Sequence, residues 1–251
     1  MLNKQKILII GGTSAIAEQC ARQWLSQGMI DAILVGRNQE KLERIVNDLR
    51  VRFPQSKIDF QLVDFLSISS IQECINNAYL DSPIDIALIA HGTLPDQILC
   101  ENKMKDLKQA IEINAFSPVV FAESILNKMI QLDSGKLAVI GSVAGDRGRK
   151  SNYVYGASKA FIDRYVEGMQ HRLALIKSSV SVTLIKPGPT ATPMTEEISG
   201  KGKFASPEQV AKEIVKGVLK AKRTIYTPKK WAIIMFVIRH LPFFLFKKMD
   251  I

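Results

Sequence analysis

An α/β fold built on a doubly wound parallel sheet of about seven strands, with helices on both faces, is predicted by three observations. Short continuous apolar runs recur along the chain and alternate with longer amphipathic stretches. The first run passes at once into a glycine-rich turn and then a helical pattern. No internal repeat or linker breaks the alternation. At 251 residues and 47% hydrophobic, the chain fits one large domain over 1–228, followed by a basic, apolar segment over 229–251.

Lys6 to Ile10 is the first apolar run, short enough for a buried parallel strand. Gly11-Gly12-Thr13-Ser14-Ala15-Ile16-Ala17 follows, then a helical pattern through Trp24 and Leu25. Strand, glycine turn and helix in that order make a Rossmann-type dinucleotide site. Glycines let the backbone approach a pyrophosphate, and a helix N-terminus favours its charge. A tight turn with a Thr or Ser helix cap is the plainer reading of the same residues. Ala32 to Val35 is the second strand, ending in Gly36-Arg37-Asn38. An NAD-selective site places an acidic residue here; a guanidinium suits a 2′-phosphate instead. Arg37 therefore favours NADP(H), with NAD(H) as the alternative and a strand-edge arginine as the structural one.

Asn38 to Arg52 reads as an amphipathic helix and Ile58 to Val63 as the third strand. Asp64-Phe65 comes next: Asp64 either accepts from an adenine amine or caps the helix starting near Ser67. The fourth strand, Ile84 to Ala90, closes in His91-Gly92-Thr93, and a lone His there is more often structural than catalytic. Lys103 to Ile113 is helical with Asn114 at its end, and Ser117 to Leu132 is the next helix. Leu137 to Ile140 is the fifth strand and Asn152 to Ile176 a long helix. Val180 to Ile185 is the sixth, ending in Lys186-Pro187-Gly188-Pro189-Thr190, a loop by composition. Ser206 to Ala221 is a capped helix and Thr224 to Thr227 the last strand.

Chemistry concentrates between the fifth strand and the long helix. Tyr155 and Lys159, four apart, share one helix face. Ser142 lies at the carboxyl end of the fifth strand, where open α/β sheets bind ligands. A phenol ordinarily titrates near ~10. An ammonium one turn away favours the phenolate and is expected to lower that value. The pair then acts as a proton donor, with a serine hydroxyl orienting the substrate oxygen.

Together these residues resemble the short-chain dehydrogenase/reductase family over roughly residues 5–228. The resemblance rests on Gly11 to Ala17, Asp64, Asn114, Ser142, Tyr155, Lys159, Pro187-Gly188 and Thr192. It implies an NAD(P)(H)-dependent oxidoreductase moving hydride between a nicotinamide and a carbonyl or alcohol. Tyr155 would be the general acid/base, and Ser142 would bind the reacting oxygen. Lys159 would hold the nicotinamide ribose, and Asn114 would support a water relay. Gly11, Gly12, Thr13, Ser14, Ile16, Arg37, Asp64, Phe65, Ala90, His91 and Gly92 would line the cofactor. Pro187, Gly188, Thr190 and Thr192 would border its nicotinamide end, beside Tyr155 and Lys159. The glycine loop is one residue shorter than the family's usual form. The usual Asn-Asn-Ala-Gly stands here as Ile89-Ala90-His91-Gly92.

Two features lie outside the shared pattern. Asp146-Arg147-Gly148-Arg149-Lys150 places three positive charges between Ser142 and Tyr155. Arg147, Arg149 and Lys150 are read as substrate-phosphate ligands or as a solvated loop. From Lys201 to Ile251 the chain holds twelve Lys/Arg against three Asp/Glu, so this stretch carries +9 of the net +10. The apolar residues from Trp231 to Phe246 are interrupted by Arg239-His240 and are too few for a span of about 20. Lysines at both ends suit a segment lying in the interface of an anionic bilayer; burial against the domain is the alternative.

Together the tail and loop resemble the branch of the family that reduces a keto sugar on a polyprenyl phosphate alongside a partner oxidase. A soluble reductase of an acyl thioester, a steroid-like ketone or a small sugar is the second reading. A non-catalytic nucleotide-binding regulator is a third, against which the complete Ser-Tyr-Lys-Asn set speaks. A homodimer or homotetramer is implied by the family. The near-neutral first 200 residues argue against nucleic acid as partner. Three cysteines without C-x-x-C spacing suggest neither disulfides nor a metal site. With no signal peptide at the N-terminus, the expected place is the cytoplasm, peripheral at the inner face of the membrane.

Overall fold

The computed structural model describes residues 4–196 and 204–249. The first three and last two residues of the expected domain and tail, and 197–203, lie outside it. Seven parallel strands run in the order β3-β2-β1-β4-β5-β6-β7. They are β1 (Gln5–Ile10), β2 (Ile30–Gly36), β3 (Ile58–Leu62), β4 (Ile86–Ile89), β5 (Lys136–Ile140), β6 (Ser181–Pro187) and β7 (Thr224–Thr227). The order reverses between β1 and β4, and a crevice opens there at the carboxyl ends.

Side-chain alternation along β1 splits the core in two. Ile7 and Ile9 face α1 (Ala15–Leu25), α2 (Gln39–Arg52) and α8 (Pro207–Leu219), packing with Trp24, Leu42, Val46 and Ile214. Leu8 and Ile10 face α3 (Ile68–Ala78), α6 (Ser117–Leu132) and α7 (Tyr153–Leu175), with Phe121, Ile125 and Ile162. Both faces being buried explains why these strands read as continuous apolar runs.

The helices start where capping chemistry directs. Asn38 accepts from the Lys41 amide at 2.8 Å, Ser67 from Ser70 at 3.2 Å and Ser206 from Gln209 at 3.2 Å. The helix expected over Lys103 to Ile113 is instead α5 (Met104–Ile111) followed by a π turn over Glu112–Phe116, which runs straight into α6. A short α4 (Gln97–Asn102) precedes it. After β7 the chain forms α9 (Lys230–His240) and α10 (Phe243–Phe246). No helix among the described residues is long and apolar enough to cross a membrane.

Candidate active site

Ser142, Tyr155, Lys159 and Asn114 converge at the carboxyl ends of β4 and β5. Ser142 follows β5, whose end is held to β6 by the Gly141 amide donating to Ile185 at 2.7 Å. Its hydroxyl accepts from the Ala144 amide at 3.1 Å and hydrogen-bonds the Tyr155 phenol. Lys159 is buried one turn along α7, with Nζ 5.6 Å from the Tyr155 ring centre and donating to the Ile140 carbonyl at 3.2 Å. Asn114 sits in the π turn, fully buried. Its Oδ1 accepts from the Thr93 amide at 2.8 Å, and its Nδ2 donates to Ala110 O at 3.0 Å. A Cβ added at Gly92 would lie 2.8 Å from Asn114 Oδ1 and 3.5 Å from Lys159 Nζ. Glycine there leaves room for both polar groups.

The electrostatics correct one expectation. Burial pushes the Tyr155 phenol above its ordinary value, and the Ser142 hydrogen bond only partly opposes this. The ammonium of Lys159 is committed to a carbonyl and does not set the direction. Burial brings Lys159 itself down to about 8, against the attraction of Asp163.

The glycine turn is shaped as a cradle. Gly11 has φ +83° and crosses under β4: a Cβ on it would come within 2.6 Å of the His91 amide nitrogen. Both Gly11 and Gly12 amides donate to Val35 O, at 2.8 and 2.9 Å. Ser14 is the N-cap of α1, yet its hydroxyl makes no capping bond, so the plainer reading of the turn loses its main support. Ile16 and Ala17 are buried, whereas Thr13 is exposed. At the end of β2, Arg37 is exposed, 5.6 Å over the Phe65 ring, and pairs with no carboxylate among the described residues. Asp64 accepts from the Leu66 amide at 2.9 Å, while Ser67 caps α3.

A model of the family described as short chain dehydrogenase matches residues 5–202. The chain belongs to that family. It is therefore an NAD(P)-dependent oxidoreductase by membership. An uncharacterized oxidoreductase of Streptomyces coelicolor is 28% identical over 248 residues, covering 98% of this chain and 96% of the relative. One from Mycobacterium tuberculosis is 28% identical over 247 residues, with 97% and 96% covered. A Sphingobium yanoikuyae short-chain dehydrogenase solved with NADPH superposes with a TM-score of 0.82 at 18% identity, over 95% of this chain and 97% of that one. A variant of actinorhodin polyketide ketoreductase, also with NADPH, gives 0.80 at 19% identity, with 90% and 97% covered. These last two likenesses describe the fold.

Several expected short-chain dehydrogenase site residues have partners within the fold. His91 is buried between Phe65 and Phe121, its Nε2 3.0 Å from Ser117 Oγ. Burial lowers its pKa to about 3, so the ring stays neutral. Thr190 is buried and donates to Gly188 O at 2.9 Å, which closes the loop and uses its hydroxyl proton. Thr192 Oγ1 lies 3.3 Å from Thr195 Oγ1. Pro187 ends β6, Gly188 follows it, and both are buried; the Trp231 indole occupies the space a side chain at 188 would need.

The charged loop behaves differently from expectation. Arg147 Nη1 donates to the carbonyls of Ile238 at 2.5 Å and Leu241 at 2.6 Å, and its guanidinium stacks 3.8 Å over the Phe246 ring. It holds the C-terminal segment, because free carbonyls at a helix end and an aromatic face together match a planar guanidinium. Arg147 is thus corrected from substrate ligand to structural clasp. Arg149 is half-buried with Nε unpartnered among the described residues, and Lys150 is exposed.

A buried polar chain beneath the site was not foreseen. Lys186 pairs with Asp146 and with Asp163 at 2.7 Å, and Tyr226 donates to Asp146 at 3.0 Å. The two carboxylates hold Lys186 above its ordinary value despite burial, while burial pushes Asp163 up to about 6. One signal was available in the sequence: Tyr155, Lys159 and Asp163 recur every fourth residue on one helix face.

Proposed function

We propose that this protein is an NADP(H)-dependent reductase of a keto sugar carried on a polyprenyl phosphate, resembling the decaprenylphosphoryl-2-keto-ribose reductases and acting at an anionic membrane surface. When bound, the reduced nicotinamide supplies hydride to the carbonyl carbon. Tyr155 holds a proton on its phenol oxygen and gives it to the carbonyl oxygen, which Ser142 orients. Burial keeps Tyr155 protonated until the oxygen develops charge, as a general acid requires. Lys159 and Asn114 stand behind it to hold the ribose and to restore the proton through water. Arg37, exposed over the Phe65 ring and without a carboxylate partner among the described residues, offers its guanidinium to a 2′-phosphate, and NADPH accompanies both structural relatives described above.

The observation that carries the substrate class is the face of the C-terminal segment. Ile233, Phe236, Phe243 and Phe244 are 73%, 65%, 72% and 62% exposed, and the exposed Lys229, Lys230, Arg239, Lys247 and Lys248 flank or interrupt them along the chain. Exposed apolar side chains in a segment flanked by cations suit an anionic lipid surface. The segment rests on the loop after Ser142, whose exposed Lys150 is placed to meet a lipid phosphate. We assign 1–228 to the catalytic domain and 229–251 to this contact. Self-pairing through α6 and α7 is supported by the exposed, stacked Phe161 and Tyr165, 6.0 Å apart. An oxidase partner would supply the keto sugar.

The test is NADPH consumption with a polyprenyl-phosphate-linked 2-keto pentose in anionic vesicles, set against a free ketopentose, an acyl thioester and a steroid ketone. We expect the lipid-linked substrate to lead in kcat/KM by at least about tenfold, and NADPH to lead NADH, on the order of one or more well-placed charged contacts. Preference for any of the soluble ketones would overturn the substrate assignment.

A further inference from the structure

We propose that Arg147 is a positioning residue that couples the seating of the C-terminal segment to the order of the Ser142 loop. The inference rests on the placement of the active site at Ser142, Tyr155 and Lys159. Three residues separate Ser142 from Asp146, and the intervening turn is closed by the Gly145 amide donating to Ser142 O at 3.1 Å. Beyond that turn, adjacent side chains hold opposite partners. Asp146 points inward to Lys186 and Tyr226, and Arg147 reaches outward to Ile238, Leu241 and Phe246.

The inward arm continues to the catalytic helix. Lys186 also binds Asp163, one turn beyond Lys159, and a Cβ on Gly145 would lie 2.9 Å from Asp163 Oδ2. Buried ion pairs of this kind hold a fixed geometry, because an unmatched charge is costly to leave. The outward arm closes on the segment's anchored side. Met235 is buried and half-buried Trp231 sits against Gly188, while Arg239 comes back to 4.0 Å from Asp146. The segment therefore touches both the loop after Ser142 and the loop after β6. Arg147 is the joint between a face open to solvent and the loop that holds the substrate oxygen. A bilayer that moved the segment would act on the catalytic loop through this joint.

Amide hydrogen exchange read by mass spectrometry tests the coupling without needing the substrate. Arg147→Ala should speed exchange at least about tenfold both in peptides spanning 229–249 and at Ala144 and Gly145, leaving β1 to β4 unchanged. Phe246→Ala, made a hundred residues away in sequence, should loosen the same loop amides; a purely local role for Arg147 would not produce that. Arg147→Lys keeps a donor for the carbonyls but loses the flat stack, and should restore part of the protection in both segments together. The proposal is overturned if the tail loosens while Ala144 and Gly145 keep their protection. It is equally overturned if neither segment responds, or if lysine restores one without the other. Tyr155→Phe, which tests the chemistry, should leave exchange across 229–249 unaltered, so the two readings fail separately.

Discussion

Tyr155, the proposed acid, is buried. Its phenol is pushed up by burial, so it waits as an acid rather than as a phenolate, with Ser142 as its polar partner. Tyr155→Phe should cut turnover by about 10²–10⁴-fold while NADPH affinity, measured by fluorescence titration, stays near wild type. Near-normal turnover would remove Tyr155 from the mechanism. His91 carries a different consequence. Its folded pKa is about 3, below the ordinary value near 6.5. Between those values the unfolded chain binds a proton that the native ring refuses. The stability tied to neutral His91 is therefore complete above ~6.5 and is lost as pH falls toward ~3, at up to about 1.4 kcal/mol per pH unit. Urea midpoints should fall between pH ~7 and ~5 by an equivalent of about 2 kcal/mol, and His91→Asn should flatten that slope. The nearness of Ser142, Tyr155 and Lys159 was legible because it depends on spacing along one helix and one strand end. The directions of their pKa shifts were not, since burial is a property of the assembled molecule.

At the scale of elements, the π turn at Glu112–Phe116 places Asn114. One extra residue in the helical ladder turns its side chain toward Thr93 and Gly92, a device common at functional sites. Gly92→Ala should press a methyl against Asn114 Oδ1, lower kcat about tenfold or more and leave the melting temperature within a few degrees. An unchanged kcat would mean that Asn114 is not needed in this position. The inner strands were legible because burial on both faces makes them read as apolar runs, as in β1 and β4, whereas the edge strands β3 and β7 carry polar residues and are only partly buried. The helix over Ser117–Leu132 was legible too, with Pro118 inside its first turn. The π turn and the six-residue α4 were not, because neither has a period long enough to register; both exist by packing against α7.

At the scale of the whole molecule, charge and greasiness are sorted to one end. The first 200 residues are nearly neutral, and the remainder holds +9. The sequence left two futures for the tail, a bilayer or the protein's own surface. The structure divides it: Met235 and Trp231 turn inward, Ile233, Phe236, Phe243 and Phe244 outward. Arg147 could not be assigned correctly beforehand, since its partners lie over ninety residues away. Co-sedimentation with vesicles rich in anionic lipid should retain the protein at low salt and release most of it at ~1 M salt, where the screening length is ~3 Å. Substituting Phe243 and Phe244 by Ser should weaken retention even at low salt. Equal binding to neutral and anionic vesicles would remove the electrostatic part of the reading.

The closeness of Trp231 to Gly188 also gives the molecule an optical property. Of the two tryptophans, Trp24 is sealed in the core, while Trp231 stands against the loop proposed to border the nicotinamide. Indole emission overlaps the absorption of a reduced nicotinamide and not of an oxidised one. The protein should thus carry its own donor for energy transfer, dimming in the tryptophan band and brightening in the dinucleotide band when NADPH binds. Trp231→Phe should abolish most of that signal without abolishing binding, and so turn the resting place of one tail residue into a ruler for the cofactor.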